Sequence, residues 1–386
     1  MTGARAVILL QGLFFASFAV LGGTVPFLAG ALQERGVTGA TFVFVMAALP
    51  LGRMLIGPWA GQVADTRGWA RGALRAGAGL ALLGAVGLLF DLGTGPLIAA
   101  VVAFSLGFAP VGPLVDSLAL AISAERYGAL RGWGSAGYLV ASFGVGWWVD
   151  LTGGSPFWAA AFGLVSVLIC ALALPPSQPA PRATDGSDTF RLEPFLVVLL
   201  LAGGLHFAVH VACSALLDVH LRSIGLASRW TGTAIAAGVV VEIGVMTRAT
   251  ALLPRIGPRR AFLGALFLAA VRWAAMTQVR HPWAVVAVQA MHGLTFGVFW
   301  VAAVALVDEW AGPSRRARGQ AALSGAVAGG GALLGVAGGS ALVDATDTTT
   351  LFALGTVVAL VAGTLAAVGL ALTDTTPKAG EGSASA

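Results

Sequence analysis

The sequence has too few charged residues to form a water-soluble protein. Asp, Glu, Lys and Arg make up 10% of the 386 residues, whereas 58% are hydrophobic. Soluble domains usually carry about 25% charged residues. A chain this apolar cannot cover its surface with hydrated groups, so we expect the lipid bilayer to be its solvent. The 54 glycines fit this expectation, because small residues let membrane helices approach one another closely.

Cysteine is equally scarce, and the usual signatures of enzymes are missing. The two cysteines, Cys170 and Cys213, each lie in an apolar run, which excludes a disulfide framework. His206 and His210 have the spacing of a metal-ligand pair, but no cysteine or second pair accompanies them. The sequence shows no phosphate loop, zinc motif or nucleophile–base spacing. We therefore expect no cofactor, no metal and no enzymatic activity.

The basic net charge of +5 does not indicate a nucleic-acid partner, because the basic residues separate the apolar runs. Most of them fall in alternate connecting segments, such as the one with Arg67, Arg71 and Arg75. Cytoplasmic loops of membrane proteins carry such an excess of Lys and Arg. This pattern predicts an inner-membrane protein with both termini in the cytoplasm. Asp218 and His220, near the outer end of a run, are expected to be hydrated.

Twelve apolar runs follow one another, each about as long as the roughly 20 residues that span a bilayer. A polar break rich in Pro, Ser and charge separates the sixth run from the seventh. Its backbone could not be satisfied in hydrocarbon, so we expect an exposed linker. The predicted organisation is a six-helix bundle over 1–174, a cytoplasmic linker over 175–194, a second six-helix bundle over 195–373 and a disordered cytoplasmic tail over 374–386.

Six ionisable side chains fall near the middle of the predicted spans. They are Arg53, Asp116, His206, Glu242, Arg272 and His292. At a rise of about 1.5 Å per residue, each lies roughly 15–20 Å from a reference residue at one end of its span, which places it near the midplane of a core about 30 Å thick. A charge at this depth is costly and needs a partner or a role. For Arg53, a structural pairing with Asp116 or with a backbone carbonyl is an equal alternative to a functional role.

Several sequence blocks have the form of a known transporter family. They are PLVDSLAL at 113–120, YGALRGWGSAGYL at 127–139, GLHFAVH at 204–210 and VQAMHGLTFGVFW at 288–300. Together they resemble the phenylpropionate permease family, relatives of lactose permease in the major facilitator superfamily. The resemblance implies an all-α integral membrane fold with twelve transmembrane helices in two pseudo-symmetric six-helix bundles. The segment 61–71 resembles the superfamily signature, which implies gating roles for Asp65, Arg67 and Arg71.

The same resemblance implies roles in proton coupling. Arg272 matches an arginine that assists deprotonation, and His292 matches a histidine of the tenth helix. The proton-carrying glutamate of the relatives follows that histidine by three positions, where this chain has Thr295. Glu242 is then the best remaining carboxylate, and a carboxylate held away from water takes up a proton readily. The predicted proton-coupling residues are Glu242, Arg272, His292 and Asp116.

For the solute, the resemblance implies that Asp116 and Arg131 form an acid–arginine pair that holds substrate. The predicted substrate-binding residues are Arg131, Trp133, His206, Arg53 and Thr295. The sequence contains no Asn and the spans contain few Gln, which disfavours a sugar because sugars need many hydrogen-bonding partners. The sequence thus predicts a secondary active transporter. It would carry out proton-coupled symport of a small organic solute, an aromatic or other organic acid being favoured, by alternating access.

Two other functions stay open at this point. A proton/solute antiporter that exports drugs or metabolites would use the same fold and a single buried acid, and only the sign of coupling separates it from a symporter. A membrane-bound sensor or hydrolase is disfavoured, because a sensor normally carries an added soluble domain. The expected partners are a small-molecule substrate, protons and the lipid bilayer, and we expect a monomer.

Overall fold

The computed structural model is all-helical over the residues that it describes, which are 3–67, 69–91, 93–174 and 193–374. Within these ranges, the structure does not describe the side chains of residues 3, 57–67, 123–124, 250, 312–317 and 373–374. The predicted linker and tail therefore fall almost entirely outside the described residues, and their boundaries stay a prediction.

Seven α-helices build the described part of the first half. They are α1 (Gly3–Glu34), α2 (Gly39–Arg67), α3 (Ala70–Gly87), α4 (Thr94–Phe108), α5 (Val111–Ser123), α6 (Tyr127–Thr152) and α7 (Phe157–Ala173). A single 3₁₀ turn, Ala124–Arg126, joins α5 to α6. Apolar residues dominate every one of these helices, which is what a bilayer requires of a spanning segment.

Eight α-helices build the second half as described. They are α8 (Pro194–Ala215), α9 (Leu217–Ser223), α10 (Ser228–Ile256), α11 (Pro258–Gln278), α12 (Pro282–Ala290), α13 (Phe299–Leu323), α14 (Ala332–Ala345) and α15 (Thr348–Asp374). Two π-helical segments interrupt this half. Gly293–Val298 joins α12 to α13, and Ser324–Gly331 joins α13 to α14.

Nine helical stretches among the described residues are long and apolar enough to cross a membrane. They are Ala4–Glu34, Gly39–Ile56, Thr94–Ile122, Pro194–Ala215, Ser228–Ala249, Pro258–Gln278, Pro282–Ala311, Arg318–Ala345 and Thr348–Leu372. Helices α3, α6 and α7 coincide with the three remaining predicted runs. The predicted all-α membrane fold is therefore confirmed.

Proline and glycine determine several of the helix ends. Pro194, Pro258 and Pro282 stand in the first turn of their helices, where a missing N–H removes no hydrogen bond. Pro110 lies between α4 and α5 and divides one span into two helices. Gly153 ends α6 with a φ of 64°, a left-handed conformation that glycine adopts without strain.

Equivalent helix pairs in the two halves pack closely at glycines, and one such contact recurs in both halves. On α6, a Cβ at Gly137 would overlap the carbonyl oxygen of Phe15 on α1. On α14, a Cβ at Gly335 would overlap the carbonyl oxygen of Ala208 on α8. Both contacts join the first and fifth spans of their half. The two halves therefore repeat one close helix contact, as expected for a duplicated bundle.

The halves pack against each other at one end of the molecule. We call this end the sealed end; it carries the connecting residues 35–38, 88–91, 93, 153–156, 224–227, 279–281 and 346–347. A hydrophobic cluster there combines Leu32 and Phe42 of the first half with Leu217 and Phe352 of the second. On α6, Gly146 lies against the backbone of α10. Backbone contact and apolar burial together hold the two halves closed at this end.

The structure corrects the prediction for two polar residues at the sealed end. Asp218 and His220 were expected to be hydrated, yet their exposed fractions are 1% and 0%. The Nε2 of His220 donates to the carbonyl of Met276 at 3.2 Å, and its Nδ1 accepts from Thr348 at 3.0 Å. Asp218 accepts a hydrogen bond from Thr231. Position along the sequence could not reveal this, because the groups that cover Asp218 and His220 come from distant parts of the chain.

Replacing Gly137 by alanine should destabilise the protein, because the added methyl overlaps backbone that cannot move alone. We expect a cost of about 1–3 kcal/mol, the usual range for overpacking, seen as a lower unfolding temperature in detergent. Gly144→Ala on the same helix is the matched control, since open space surrounds that position. Equal unfolding temperatures for the two variants would contradict the close α1–α6 contact.

Candidate functional site

A cavity of about 360 Å³ lies between the two halves. Helices α1, α2 and α6 line it from the first half, and α8 to α12 line it from the second. The volume falls within the range of small-ligand pockets, about 300–1,000 Å³. The polar and ionisable side chains that line it are Arg53, Ser135, Tyr138, His210, Ser214, Glu242, Arg272, Gln289 and His292. Four predicted site residues, Arg53, Glu242, Arg272 and His292, thus surround one cavity.

Glu242 and His292 form a hydrogen-bonded pair in the cavity wall. The Oε2 of Glu242 lies 3.0 Å from the Nε2 of His292, and both side chains are mostly buried. Gly293, the first residue of a π-helical segment, makes this approach possible. A Cβ at Gly293 would collide with the backbone of Val241 and Glu242. The glycine therefore lets α10 and the π-helical segment touch, and the contact sets the acid beside the histidine.

Arg272 is buried among neutral partners. Its exposed fraction is 2%. Its Nη1 donates to the Thr295 hydroxyl at 3.0 Å, and its Nη2 donates to the side-chain oxygen of Gln289. The guanidinium carbon lies 4.2 Å from the centre of the Trp273 ring. No carboxylate of the described residues forms an ion pair with it. Dipoles and an aromatic face, rather than an opposite charge, stabilise this cation.

Two predicted substrate-binding residues lie behind the cavity wall. His206 and Thr295 are fully buried. The Nε2 of His206 donates to the Thr295 carbonyl at 3.0 Å, while the Thr295 hydroxyl accepts from Arg272. Neither side chain lines the cavity. Their observed contacts hold Arg272 in position.

Four aromatic rings form a cluster on the second-half side of the cavity. The ring of His210 lies 4.9 Å from that of His292 and 5.0 Å from that of Phe296, measured between centres. Phe207 lies 6.1 Å from both His210 and Phe296. All four side chains line the cavity. This aromatic cluster offers flat apolar faces beside polar ring nitrogens, a surface suited to an aromatic solute.

Arg53 faces the cavity from the first half. Its guanidinium carbon lies 5.8 Å from the centre of the Phe108 ring. It makes no hydrogen bond or ion pair with another residue that the structure describes. The pairing with Asp116 that the sequence left open is not formed, because Asp116 pairs with Arg131 instead. Arg53 therefore presents a positive charge to the cavity.

Asp116, Arg131 and Trp133 do not line the cavity. The Oδ1 of Asp116 accepts hydrogen bonds from Arg131 at 2.9 Å and from the Tyr127 hydroxyl at 3.0 Å. The Arg131 guanidinium lies 5.6 Å from the ring of Phe18, which does line the cavity. Trp133 is 45% exposed. The acid–arginine pair implied by the resemblance exists, but it sits beside the cavity.

Of the three predicted gating residues, the structure describes the side chain of Arg71 alone. The side chains of Asp65 and Arg67 lie outside the described residues. The Nη1 of Arg71 donates to the Leu174 carbonyl at 2.6 Å, at the end of α7. Arg71 thus stabilises a helix terminus within the first half, and its gating role stays a prediction.

A match between this sequence and a protein-family model shows which family the chain belongs to. The model described as the MFS_1 like family matches residues 7–354. The chain belongs to this family. It is therefore a membrane transporter of the major facilitator type and not an enzyme, as the resemblance implied.

Two curated relatives of this MFS_1-like chain are transporters with different solutes in their names. It is 29% identical to the maltose permease of Geobacillus stearothermophilus over 296 residues, 74% of each chain. It is also 29% identical to the probable 3-phenylpropionic acid transporter of Escherichia coli (strain K12) over 309 residues. That match covers 75% of this chain and 79% of the relative.

Solved structures establish the fold. The nucleoside transporter NupG superimposes with a TM-score of 0.82 and 17% identity, over 97% of this chain and 100% of that one. A POT family transporter in complex with 5-aminolevulinic acid superimposes with a TM-score of 0.78 and 12% identity, over 96% and 97% of the two chains. At such identities the likeness concerns the fold alone. The predicted major facilitator fold is confirmed.

Sequence reasoning missed several residues of the cavity. Tyr138 and Gln289 line it, and so do Phe207 and Phe296. Depth within the span, which found the charged residues, does not single out neutral or apolar side chains. One signal was available: Gln289 is a polar residue three positions before His292, inside an otherwise apolar run.

Gln289→Leu should destabilise the protein, because the buried Arg272 loses a hydrogen-bond acceptor. Leaving a buried polar partner unsatisfied costs about 1–3 kcal/mol, so we expect a clearly lower unfolding temperature. Gln278→Leu on the exposed end of α11 is the matched control and should unfold like the parent protein. An unchanged unfolding temperature for Gln289→Leu would mean that Arg272 does not depend on this contact.

Proposed function

We propose that this transporter carries out proton-coupled symport of a small organic acid, with an aromatic acid favoured. The observation that carries the proposal is the composition of the cavity. It joins an unpaired arginine, a carboxylate–histidine pair and a cluster of aromatic rings around one volume of about 360 Å³. Each of these parts supplies one requirement of acid symport: an anion partner, a proton carrier and an apolar surface.

Arg53 supports an anionic solute. A guanidinium forms two parallel hydrogen bonds with a carboxylate, a strong and geometrically specific interaction. The guanidinium faces the cavity without a described partner, and the aromatic cluster of Phe207, His210, His292 and Phe296 lies on the other half. A solute with a carboxylate at one end and a ring at the other would bridge the two halves. The printed name of the relative from Escherichia coli, a phenylpropionic acid transporter, agrees with this class.

Charge balance in the cavity supports coupling. Two arginines, Arg53 and Arg272, face one carboxylate, Glu242, so the site carries a net positive charge when the histidines are neutral. A bound monoanion neutralises that charge. Protonation of Glu242 makes the site more positive and strengthens anion binding, and by reciprocity the bound anion strengthens protonation. Proton and acid therefore favour each other's binding, which is the thermodynamic basis of symport.

The transport cycle follows from the two-bundle fold. The halves, which we take as residues 1–174 and 195–373, rock about the central cavity. The sealed end faces the outside of the inner membrane, and the loops rich in Lys and Arg face the cytoplasm together with both termini. A monomer suffices for this cycle, because the cavity lies within one chain.

Transport by purified protein in proteoliposomes tests the proposal. The panel contains phenylpropionate, other aromatic and aliphatic acids, nucleosides and disaccharides, each with and without an inward proton gradient. Uptake is followed with labelled solute and an internal pH dye. We expect accumulation of acids with acidification of the lumen. Accumulation of only nucleosides or disaccharides would refute the solute class, and proton-driven solute efflux would establish an antiporter instead.

Glu242→Gln should separate binding from coupling. Glutamine keeps the shape and a hydrogen bond to His292, but its amide does not ionise and so cannot take up and release a proton as the carboxylate does. We expect gradient-driven accumulation to fall by about tenfold or more, the usual scale for loss of a proton-transfer group, while exchange of labelled against unlabelled acid persists. Glu309→Gln on an exposed position of α13 is the matched control. Full pH-driven uptake by Glu242→Gln would refute its role as proton carrier.

Arg53→Met should weaken acid binding, because the solute's carboxylate loses its cationic partner. Removing one member of a buried charged pair costs about 2–5 kcal/mol, so we expect an increase of at least about 30-fold in Kd. Arg248→Met is the matched control, since that arginine is exposed and donates only to the carbonyl of Gly244. An acid Kd that is equal in the two variants would place the anion elsewhere.

A further inference from the structure

Polar contacts between the two halves connect three helix pairs at the sealed end. They are Arg222 of α9 with Glu34 of α1, Arg229 of α10 with Asp150 of α6 at 2.6 Å, and Asp344 of α14 with the backbone N–H of Gly39 on α2 at 2.9 Å. Each must break when the halves separate at this end.

A further acid at the sealed end, Asp218, is more deeply buried than Glu34 and Asp150, the two acids that form ion pairs between the halves. Its exposed fraction is 1%, whereas the side chains of Glu34 and Asp150 are 57% and 18% exposed. Its Oδ1 accepts a hydrogen bond from Thr231 at 2.8 Å. Its Oδ2 lies 3.7 Å from the Nη1 of Arg222, which also bonds Glu34. One arginine is therefore shared between a buried acid and an exposed acid of the other half.

The first half directly covers Asp218. A Cβ at Gly30 of α1 would lie 2.7 Å from the Oδ2 of Asp218 and 3.1 Å from the Nη1 of Arg222. Only a glycine lets α1 approach α9 this closely. When α1 moves away from α9, water reaches the carboxylate and Arg222 loses Glu34. Hydration of Asp218 is thus tied to opening of the sealed end.

The surroundings of Asp218 give the direction of this link. The charged groups that face it are Arg222 of its own helix and Glu34 of α1, and α10 contributes the hydroxyls of Ser228 and Thr231. Burial raises the pKa of Asp218, which lies beyond the end of the spanning stretch, although the two hydroxyls and Arg222 oppose the effect. In the opened state water surrounds the carboxylate, so burial no longer raises its pKa. The sealed state therefore holds the proton more tightly than the open state.

Two further charged groups border the same polar recess without engaging Asp218. Arg35 donates to the carbonyl of Leu88 at 2.7 Å, and Asp150 is held by Arg229. The recess has a volume of about 620 Å³ and lies between the halves on the sealed end. It gives protons from the surrounding solution a short path to the region of Asp218.

We propose that Asp218 is a second proton-binding site, at the sealed end, and that its protonation favours closure of the two halves over the cavity. The proposal rests on the alternating access of the proposed function, but it needs neither Glu242 nor a particular solute. By linkage, low pH favours the sealed state, and this preference is lost as the pH rises through the pKa of the sealed state. A proton taken up at the outer end would thus help the loaded transporter to close there.

Distances across the sealed end test this proposal without any solute. Spin labels are attached at Thr94→Cys and Gln278→Cys, exposed positions on the two halves, after Cys170 and Cys213 are replaced by alanine. The parent for all measurements also carries Glu242→Gln, so that the cavity acid does not contribute. We expect the ratio of short to long distances to rise as the pH falls from 8 to 5. The change should be about tenfold for each unit by which the two pKa values differ.

Three variants assign the response to Asp218. Asp218→Asn mimics the protonated acid, and we expect a high, pH-independent sealed fraction. Thr231→Val removes a hydrogen bond that stabilises the charged form, so the midpoint should move to higher pH. Asp347→Asn changes an exposed acid at the same end and should respond like the parent.

Several results would overturn the proposal. They are a parent whose distances ignore pH, a response that survives in Asp218→Asn, and a midpoint that does not rise in Thr231→Val. The threonine variant keeps the test decisive if Asp218→Asn fails to fold. A normal pH response combined with full proton-driven uptake by Glu242→Gln would refute the proton-carrier assignment while leaving the role of Asp218 intact.

Discussion

The absence of water in the bilayer is the constraint on which the rest of this structure depends. A charge or backbone dipole that leaves water must be satisfied by the protein itself. Arg272 meets this demand with a hydroxyl, an amide and an indole face, and Asp116 meets it with an arginine and a tyrosine. Arg53 stands apart, because it faces the cavity without such partners. Among the arginines described around the cavity, Arg272 is therefore held by neighbouring polar groups, whereas Arg53 is left to interact with what enters the cavity.

Close helix contact follows from the same constraint. Lipid is as apolar as leucine, so helices associate through tight packing and not through burial of apolar surface from water. Gly137, Gly293 and Gly335 each allow backbone to meet backbone, and each lies on a helix that frames the cavity or its support. The contact at Gly293 links packing to chemistry, since it brings α10 close enough for Glu242 to reach His292. At these three positions glycine is thus required by the helix packing.

Much of the fold and part of the site could be predicted from the sequence. Apolar run length and the polar break predict the helices, because hydrocarbon thickness fixes the length of a span. Depth within a span brought out Arg53, Glu242, Arg272 and His292, which do share a cavity. Depth gives no information on rotation about the helix axis. For this reason it did not separate Arg53, which faces the cavity, from Asp116, which does not, and it missed Tyr138.

The sealed end was the least predictable region. Acids near the end of a span are usually hydrated, and Asp218 breaks that rule only because a distant segment, at Gly30, covers it. Such a contact joins residues from different halves and depends on how the bundles dock. The local sequence pattern around Asp218 therefore does not predict this contact. Spacing and composition define each bundle well, whereas the surface between the bundles emerges only from the assembled fold.

The π-helical segment at Gly293–Val298 has a mechanical consequence. A π turn holds one more residue than the α-helical turns around it, so the hydrogen-bond ladder changes register within the long stretch Pro282–Ala311. A change of register is a point of low bending stiffness. Helices α12 and α13, on either side of the segment, can then bend relative to each other at this point, which lies beside the cavity. A movement of one of the two helices need not shift the other.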